Sequence, residues 1–106
     1  MKTILKMSLI LSAVVLFWQC EKDSPHVNIP NINFLNALIR LGIDTDGDGK
    51  ISPSEAAVIR SLDVSGNSIS DITGIESFIN LDTLYCYFNN LTFLDVSKNM
   101  SLVFLE

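Results

Sequence analysis

The chain is poor in the residues that chemistry usually needs. One histidine and two cysteines among 106 residues offer no Cys/His cluster for zinc and no Ser/His/Asp or Cys/His constellation for nucleophilic catalysis. The histidine, His26, stands between Ser24 and Pro30 in a Pro/Asn-containing stretch that reads as a tether. Cys20 and Cys86 are too isolated in role to argue for a disulfide. Basic residues are also scarce, seven against twelve acidic for a net charge of −5, which excludes the positive footprint of a nucleic-acid binder. Nothing in the sequence looks like an active site, and an enzyme is not expected. Long apolar runs are missing too. The run from Met7 to Phe17 is 11 residues, about half of what a membrane-spanning helix requires.

What the chain does have is a run of carboxylates at fixed offsets, Asp44-Thr45-Asp46-Gly47-Asp48-Gly49-Lys50-Ile51-Ser52-Pro53-Ser54-Glu55. Asp44, Asp46 and Asp48 put oxygens around one point, Gly49 permits a sharp turn, Lys50 contributes only its carbonyl and Ser52 ligates directly or through water. Glu55 has two possible roles. It stands where a bidentate ligand closes the far side of the loop, and it is also three residues after Ser52, with Pro53 between them, which is the spacing of a capping box with an N1 proline. Phe34, Leu35, Leu38, Ile39 and Leu41 recur at helical spacing before the loop, behind Asn31 or Asn33 as N-caps, and Ala56, Ala57, Val58 and Ile59 continue the helix after it. This order of ligands between two helices resembles an EF-hand, and more narrowly a dockerin-like calcium loop. The resemblance implies calcium as the bound ion. Ile51 is expected to anchor the loop to the core.

The second half repeats itself. Ile59, Leu62, Val64, Asn67, Ile69 and Ile72 match Leu81, Leu84, Cys86, Asn89, Leu91 and Leu94 at an interval of 22 residues, and Leu102 and Leu105 open a third copy 21 residues further on. The string L-x-x-L-x-(V/C)-x-x-N-x-(I/L) resembles the leucine-rich repeat. In such a repeat the leucines stack into a shared core, and an inward asparagine bonds backbone groups left free at the bend. A half-repeat phrase, Leu62-Asp63-Val64-Ser65 and Leu94-Asp95-Val96-Ser97, is followed two residues later by Asn67 and Asn99, so the return side of each coil should also be regular. Cys86 falls at an apolar position and is read as a buried thiol.

The first residues carry an address. Lys2 and Lys6 precede the short apolar run and Cys20 follows it, which resembles a bacterial lipoprotein signal whose cleavage leaves Cys20 as the lipidated N-terminus. Phe17 and Gln19 depart from the usual leucine and small residue of that box, as looser boxes of Bacteroidota lipoproteins also do. Glu21-Lys22-Asp23 resembles the charged tag that directs such lipoproteins to the outer face of the outer membrane. Residues 20–106 would carry five basic and twelve acidic residues, a charge of −7.

The organisation expected is therefore a signal peptide over 1–19, a lipidated tether over 20–30, an EF-hand-like cap over 31–58 and leucine-rich repeats over 59–106. The fold class is an α/β repeat, a short helix-loop-helix capping a truncated solenoid. The third copy stops within its strand at Val103-Phe104-Leu105-Glu106, and we expect a fragment of a longer protein. The whole resembles surface leucine-rich-repeat lipoproteins of Bacteroidota. That resemblance implies a lipid-anchored, cell-surface module for adhesion to a protein or glycan, with structural calcium. An architectural docking module, or the stalk of a longer surface enzyme, is the alternative. Strand alternation turns Ser61, Asp63 and Ser65, Thr83, Tyr85 and Tyr87, and Phe104 and Glu106 away from the core. Of these, Tyr85, Tyr87, Asp63 and Phe104 are the candidate ligand-binding residues.

Overall fold

The computed structural model describes residues 25–106. The expected signal peptide over residues 1–19, Cys20 and the charged stretch that resembles a sorting tag lie outside the described residues. The chain enters through an extended segment and forms helix α1 (Ile32–Arg40), an acidic loop and the short helix α2 (Pro53–Ala57). The repeats follow as strands β1 (Ser61–Asp63), β2 (Thr83–Tyr85) and β3 (Phe104–Leu105), with a 3-10 turn at Ile75–Ser77 between the first two. No helix among the described residues is long and apolar enough to cross a membrane.

Helix α1 starts where Asn31 accepts the Phe34 amide on its side chain, at 3.0 Å, so Asn31 is the N-cap. Asn33 instead reaches out to donate to the Ser68 carbonyl at 3.0 Å. Phe34, Ala37 and Leu38 are buried, as the periodicity requires. Leu41 is the C-cap and is 51% exposed. It does not join the apolar face, because the chain turns away at Gly42 before another turn of helix forms. Helix α2 is shorter than its apolar run suggests: it ends at Ala57, and Val58 is 73% exposed.

The three strands form one open parallel sheet in the order β1-β2-β3. Ser61, Leu62 and Asp63 pair with Thr83, Leu84 and Tyr85, and Thr83 and Leu84 pair with Phe104 and Leu105. These offsets are the 22- and 21-residue repeat intervals themselves. Backbone bonding continues past the strand ends, with the Val64 and Gly66 amides donating to the Tyr85 and Tyr87 carbonyls at 2.9 and 3.0 Å. Leu62, Val64, Ile69, Ile72, Leu81, Leu84 and Cys86 are buried, whereas Leu94 and Leu105 remain 37% and 43% exposed.

On the return side, Ile72, Ile75, Phe78 and Leu81 are all buried. Their spacing of three is that of a 3-10 turn, whose side chains eclipse one another. The second coil repeats that spacing at Val96, Asn99 and Leu102, which are partly or fully buried. The half-repeat phrase has a common geometry as well. Asp63 accepts the Ser65 amide at 3.1 Å and Asp95 accepts the Ser97 amide at 2.9 Å.

Three asparagines close the coils. Asn89 accepts the Asn67 and Ile69 amides of the coil before it, at 2.9 and 3.0 Å, and donates to the Val64 and Cys86 carbonyls, both at 2.9 Å. Asn67 donates to Val64 and Ser65 carbonyls at 3.0 and 2.8 Å. Its oxygen, which has no earlier coil to accept from, takes the Arg40 guanidinium of α1. On the return side Asn99 donates to the Ile75 and Phe78 carbonyls at 2.8 and 3.1 Å.

The expectation of a tether as far as Pro30 is corrected over its last residues. Val27 is buried, its amide donates to the Ile51 carbonyl at 2.7 Å, and Ile29 packs against the core. Two β-branched apolar residues in a polar segment have a reason to fold in, because they bury surface against the first coil. Gly74 makes room for them. It sits at φ +110°, and a Cβ there would lie 2.7 Å from Ile29 and 3.0 Å from the Asn28 carbonyl.

Candidate functional site

Two places concentrate functional groups, the acidic loop and the outward face of the sheet. In the loop, the carboxylates of Asp44, Asp46 and Asp48 offer oxygens that all lie within 4.8 Å of one another. Oxygens sharing one calcium at 2.3–2.6 Å sit at most about 5 Å apart, so the spacing fits a single ion. Loop amides hold the carboxylates in place. Gly49 donates to Asp44 at 2.9 Å and Lys50 donates to Asp48 at 2.9 Å.

The like charges perturb one another. Desolvation pushes the Asp44 carboxyl up, but the Gly49 amide and the hydrogen bonds of Asp46 and Asp48 outweigh it and hold Asp44 below its ordinary value. Asp46 is raised, first by its side-chain bond to Asp44. Carboxylates crowded in this way repel one another, and a cation placed among them would relieve that repulsion. The three aspartates thus form a cluster able to hold a metal ion.

Glu55 is not among those converging oxygens. Its Oε1 accepts the Ser52 amide at 2.9 Å, while Oε2 accepts the Thr45 amide at 2.7 Å and the Thr45 hydroxyl at 2.9 Å. Ser52 in return accepts the Glu55 amide at 3.1 Å, completing the capping box behind Pro53. Of its two possible roles, Glu55 here displays the cap and also ties the start of the loop to α2. The Ser52 amide first, then the Thr45 hydroxyl and further amides, lower its pKa from 4.5 to about 2, against the upward pull of burial. The Ser52 side chain is likewise engaged in the cap, and the Lys50 side chain is exposed. Ile51 is buried and anchors the loop, as its place in the motif implies.

The sheet face follows strand alternation. Tyr85 stacks obliquely on Phe104, with ring centroids 5.4 Å apart and planes at 51°, and meets Tyr87 edge-on at 6.3 Å and 86°. Tyr87 and Phe104 are 41% and 45% exposed. Asp63 is exposed beside them in the register, opposite Tyr85. The Ser65 hydroxyl and then its amide lower the Asp63 carboxyl below its ordinary value. Cys86 is the free cysteine found among the described residues, and burial raises its thiol pKa. The structure adds one ring that strand alternation misses. Phe88 packs edge-on to Tyr87 at 5.1 Å and 76°. The signal for it was the repeat alignment, which places Phe88 opposite Gly66 just before the bend asparagine.

No protein-family model matches the chain. Over 70 residues it is 37% identical to Internalin J of Listeria monocytogenes serotype 4b (strain F2365), an alignment covering 66% of this chain and 8% of that protein. It is similar in structure to the CBM51-2 and INT domains from Clostridium perfringens ZmpB, at 28% identity and a TM-score of 0.66, over 77% of this chain and 17% of that one. It is also similar to an internalin, inlF, from Listeria monocytogenes strain 4b F2365, at 24% identity and a TM-score of 0.62, over 72% of this chain and 23% of that one. The chain therefore spans under a tenth of the curated relative's length. The repeat region is a leucine-rich-repeat-type domain similar to those of internalins.

The capping network makes stability pH-dependent with a definite sign. The folded pKa of Glu55 lies below the ordinary one, so its contribution is present above pH 4.5 and is lost as pH falls towards about 2. At pH 7, Glu55→Gln should melt about 5 °C below wild type, given about 1 kcal/mol for a cap and 4–8 °C per kcal/mol in a domain of this size. Melting curves should converge as pH falls from 4.5 to 2. A gap that stays constant across that window would assign the lost stability to something other than the Glu55 charge.

Proposed function

We propose that this chain is a cell-surface binding module whose leucine-rich repeats present the Tyr85/Tyr87/Phe104 face to a protein or glycan and whose acidic loop holds a structural calcium. The observation that carries the binding reading is the cluster of partly exposed rings on one sheet face, 5.4 and 6.3 Å apart. Aromatic side chains supply large contact area with few rotors to freeze. The similarity to internalin proteins supports surface exposure and protein recognition. The role is binding, and we assign no catalytic residue.

In this reading Cys20 carries the lipid that holds the protein at the outer face of the outer membrane, following the lipoprotein-like leader. The EF-hand-like loop takes calcium through Asp44, Asp46 and Asp48, with the Lys50 carbonyl and water adding to the sphere while Ser52 stays in the helix cap, and the ion would lock the geometry of the cap. Helix α1 contacts the first coil through Arg40 on Asn67 and Asn33 on Ser68. That packing supports a cap that belongs to the repeats over a free docking unit or a stalk.

Calorimetry on the full chain should detect one calcium per molecule with Kd roughly 10⁻⁵ to 10⁻³ M, and Asp44→Ala should abolish it. The melting temperature of wild type should rise with calcium while that variant stays unresponsive. No heat of binding at millimolar calcium removes the metal from the account. For the sheet face, the Tyr85→Ala/Tyr87→Ala double variant should reduce attachment to immobilised host proteins or glycans by about tenfold or more with an unchanged melt. Unchanged attachment, or a variant that unfolds, withdraws the ligand-binding role of these tyrosines.

A further inference from the structure

Val27, Asn28 and Ile29 touch two separate parts of the molecule, the first coil and the acidic loop. On the coil they lie over Gly74, where a Cβ would come within 2.7 Å of the Ile29 side chain, 3.0 Å of the Asn28 carbonyl and 3.3 Å of the Val27 side chain. Only a residue without a side chain leaves room for so close an approach. On the loop the Val27 amide donates to the Ile51 carbonyl at 2.7 Å, and Val27 is buried.

The peptide unit between Ile51 and Ser52 is gripped from both sides. Its carbonyl takes the Val27 amide, and its N–H donates to Glu55 at 2.9 Å. The other Glu55 oxygen takes the Thr45 amide and hydroxyl at 2.7 and 2.9 Å and the Asp46 amide at 3.3 Å. Bonds joined through one peptide and one carboxylate polarise and reinforce one another. A continuous path thus runs from the first coil, through residues 27–29, to the backbone that carries Asp44 and Asp46. The bonds that α1 makes to the coil end elsewhere, on Asn67 and Ser68 at the bend.

We infer that residues 27–29 are a strap that couples the acidic loop to the first coil, so that seating the strap fixes the loop and a cation in the loop tightens the strap. The cation half rests on the loop holding calcium, and the coupling itself does not. Such coupling is reciprocal, so the factor by which the strap raises cation affinity is the factor by which the cation favours the seated strap.

The test follows amide exchange on the full, ¹⁵N-labelled chain in mild detergent, first in EDTA and then in calcium. In EDTA, Val27→Ala/Ile29→Ala and, separately, Gly74→Ala should speed exchange at the Thr45 and Ser52 amides about tenfold or more. The Asn67 and Ile69 amides, held by Asn89, should keep wild-type rates. Unchanged exchange at Thr45 and Ser52 overturns the coupling. An equal rise at Asn67 and Ile69 overturns it too, because it assigns the loss to general unfolding. In calcium, exchange at the Val27 amide of wild type should slow, and the Val27→Ala/Ile29→Ala variant should bind the ion about fivefold or more weakly by calorimetry. Equal affinity, with Thr45 and Ser52 still accelerated in EDTA, overturns the cation half alone. A wild type that takes up no calcium removes the ion from the loop and the cation half with it, while the rates in EDTA still decide the strap.

Discussion

The bends of stacked coils turn backbone amides and carbonyls inward, where they are partly shielded from water, and a buried group of this kind left without a partner costs about 1–3 kcal/mol. Asn89 answers that demand for two coils at once, with its oxygen on the Asn67 and Ile69 amides and its nitrogen on the Val64 and Cys86 carbonyls. Asn67 and Asn89 hold the same place in the first two coils, 22 residues apart, which is the offset at which β1 pairs with β2. Asn99 does the donor half of that work on the return side, through the Ile75 and Phe78 carbonyls, while its own Oδ1 is buried with no hydrogen-bond partner among the described residues.

The same constraint explains the cap. Asn89 uses its oxygen on the coil before it, but Asn67 stands in the first coil and has no such neighbour. Arg40 at the end of α1 supplies the missing donor, and Asn31 and Asn33 bond Ser70 and Ser68 alongside it. A helix placed this way also closes the apolar end of the solenoid with Phe34 and Leu38, both fully buried. The acidic loop then inherits a fixed position, because Ile51 is buried in the same core and Glu55 holds the loop entrance to α2.

Much of this was legible in the sequence, and for reasons that can be named. The repeat interval gave strand register, since parallel coils place equivalent residues side by side. Ser52, Pro53 and Glu55 gave the start of α2 because capping chemistry is local. Alternation put Tyr85, Tyr87 and Phe104 on one face. Less legible were features decided by tertiary contact. Val27 and Ile29 look like tether until the first coil offers them a surface beside Gly74. Arg40 looks like an ordinary helix-end cation until the unfilled oxygen of Asn67 lies next to it. Glu55 had two roles open to it, and only the positions of the Thr45 and Ser52 amides distinguish the one displayed. Phe88 could have been found by setting it against Gly66 in the repeat, but its left-handed backbone could not.

The central claim is that one asparagine side chain couples the coils, and equilibrium urea unfolding of Asn89→Ala tests it most directly. Loss of Asn89 strands the Asn67 and Ile69 amides and the Cys86 carbonyl, while the Val64 carbonyl keeps its bond from Asn67, so the variant should be destabilised by about 2 kcal/mol or more relative to wild type. The exposed neighbour Asn90 serves as the comparison, with Asn90→Ala costing under about 0.5 kcal/mol. Asn89→Ala variants as stable as Asn90→Ala would contradict the account.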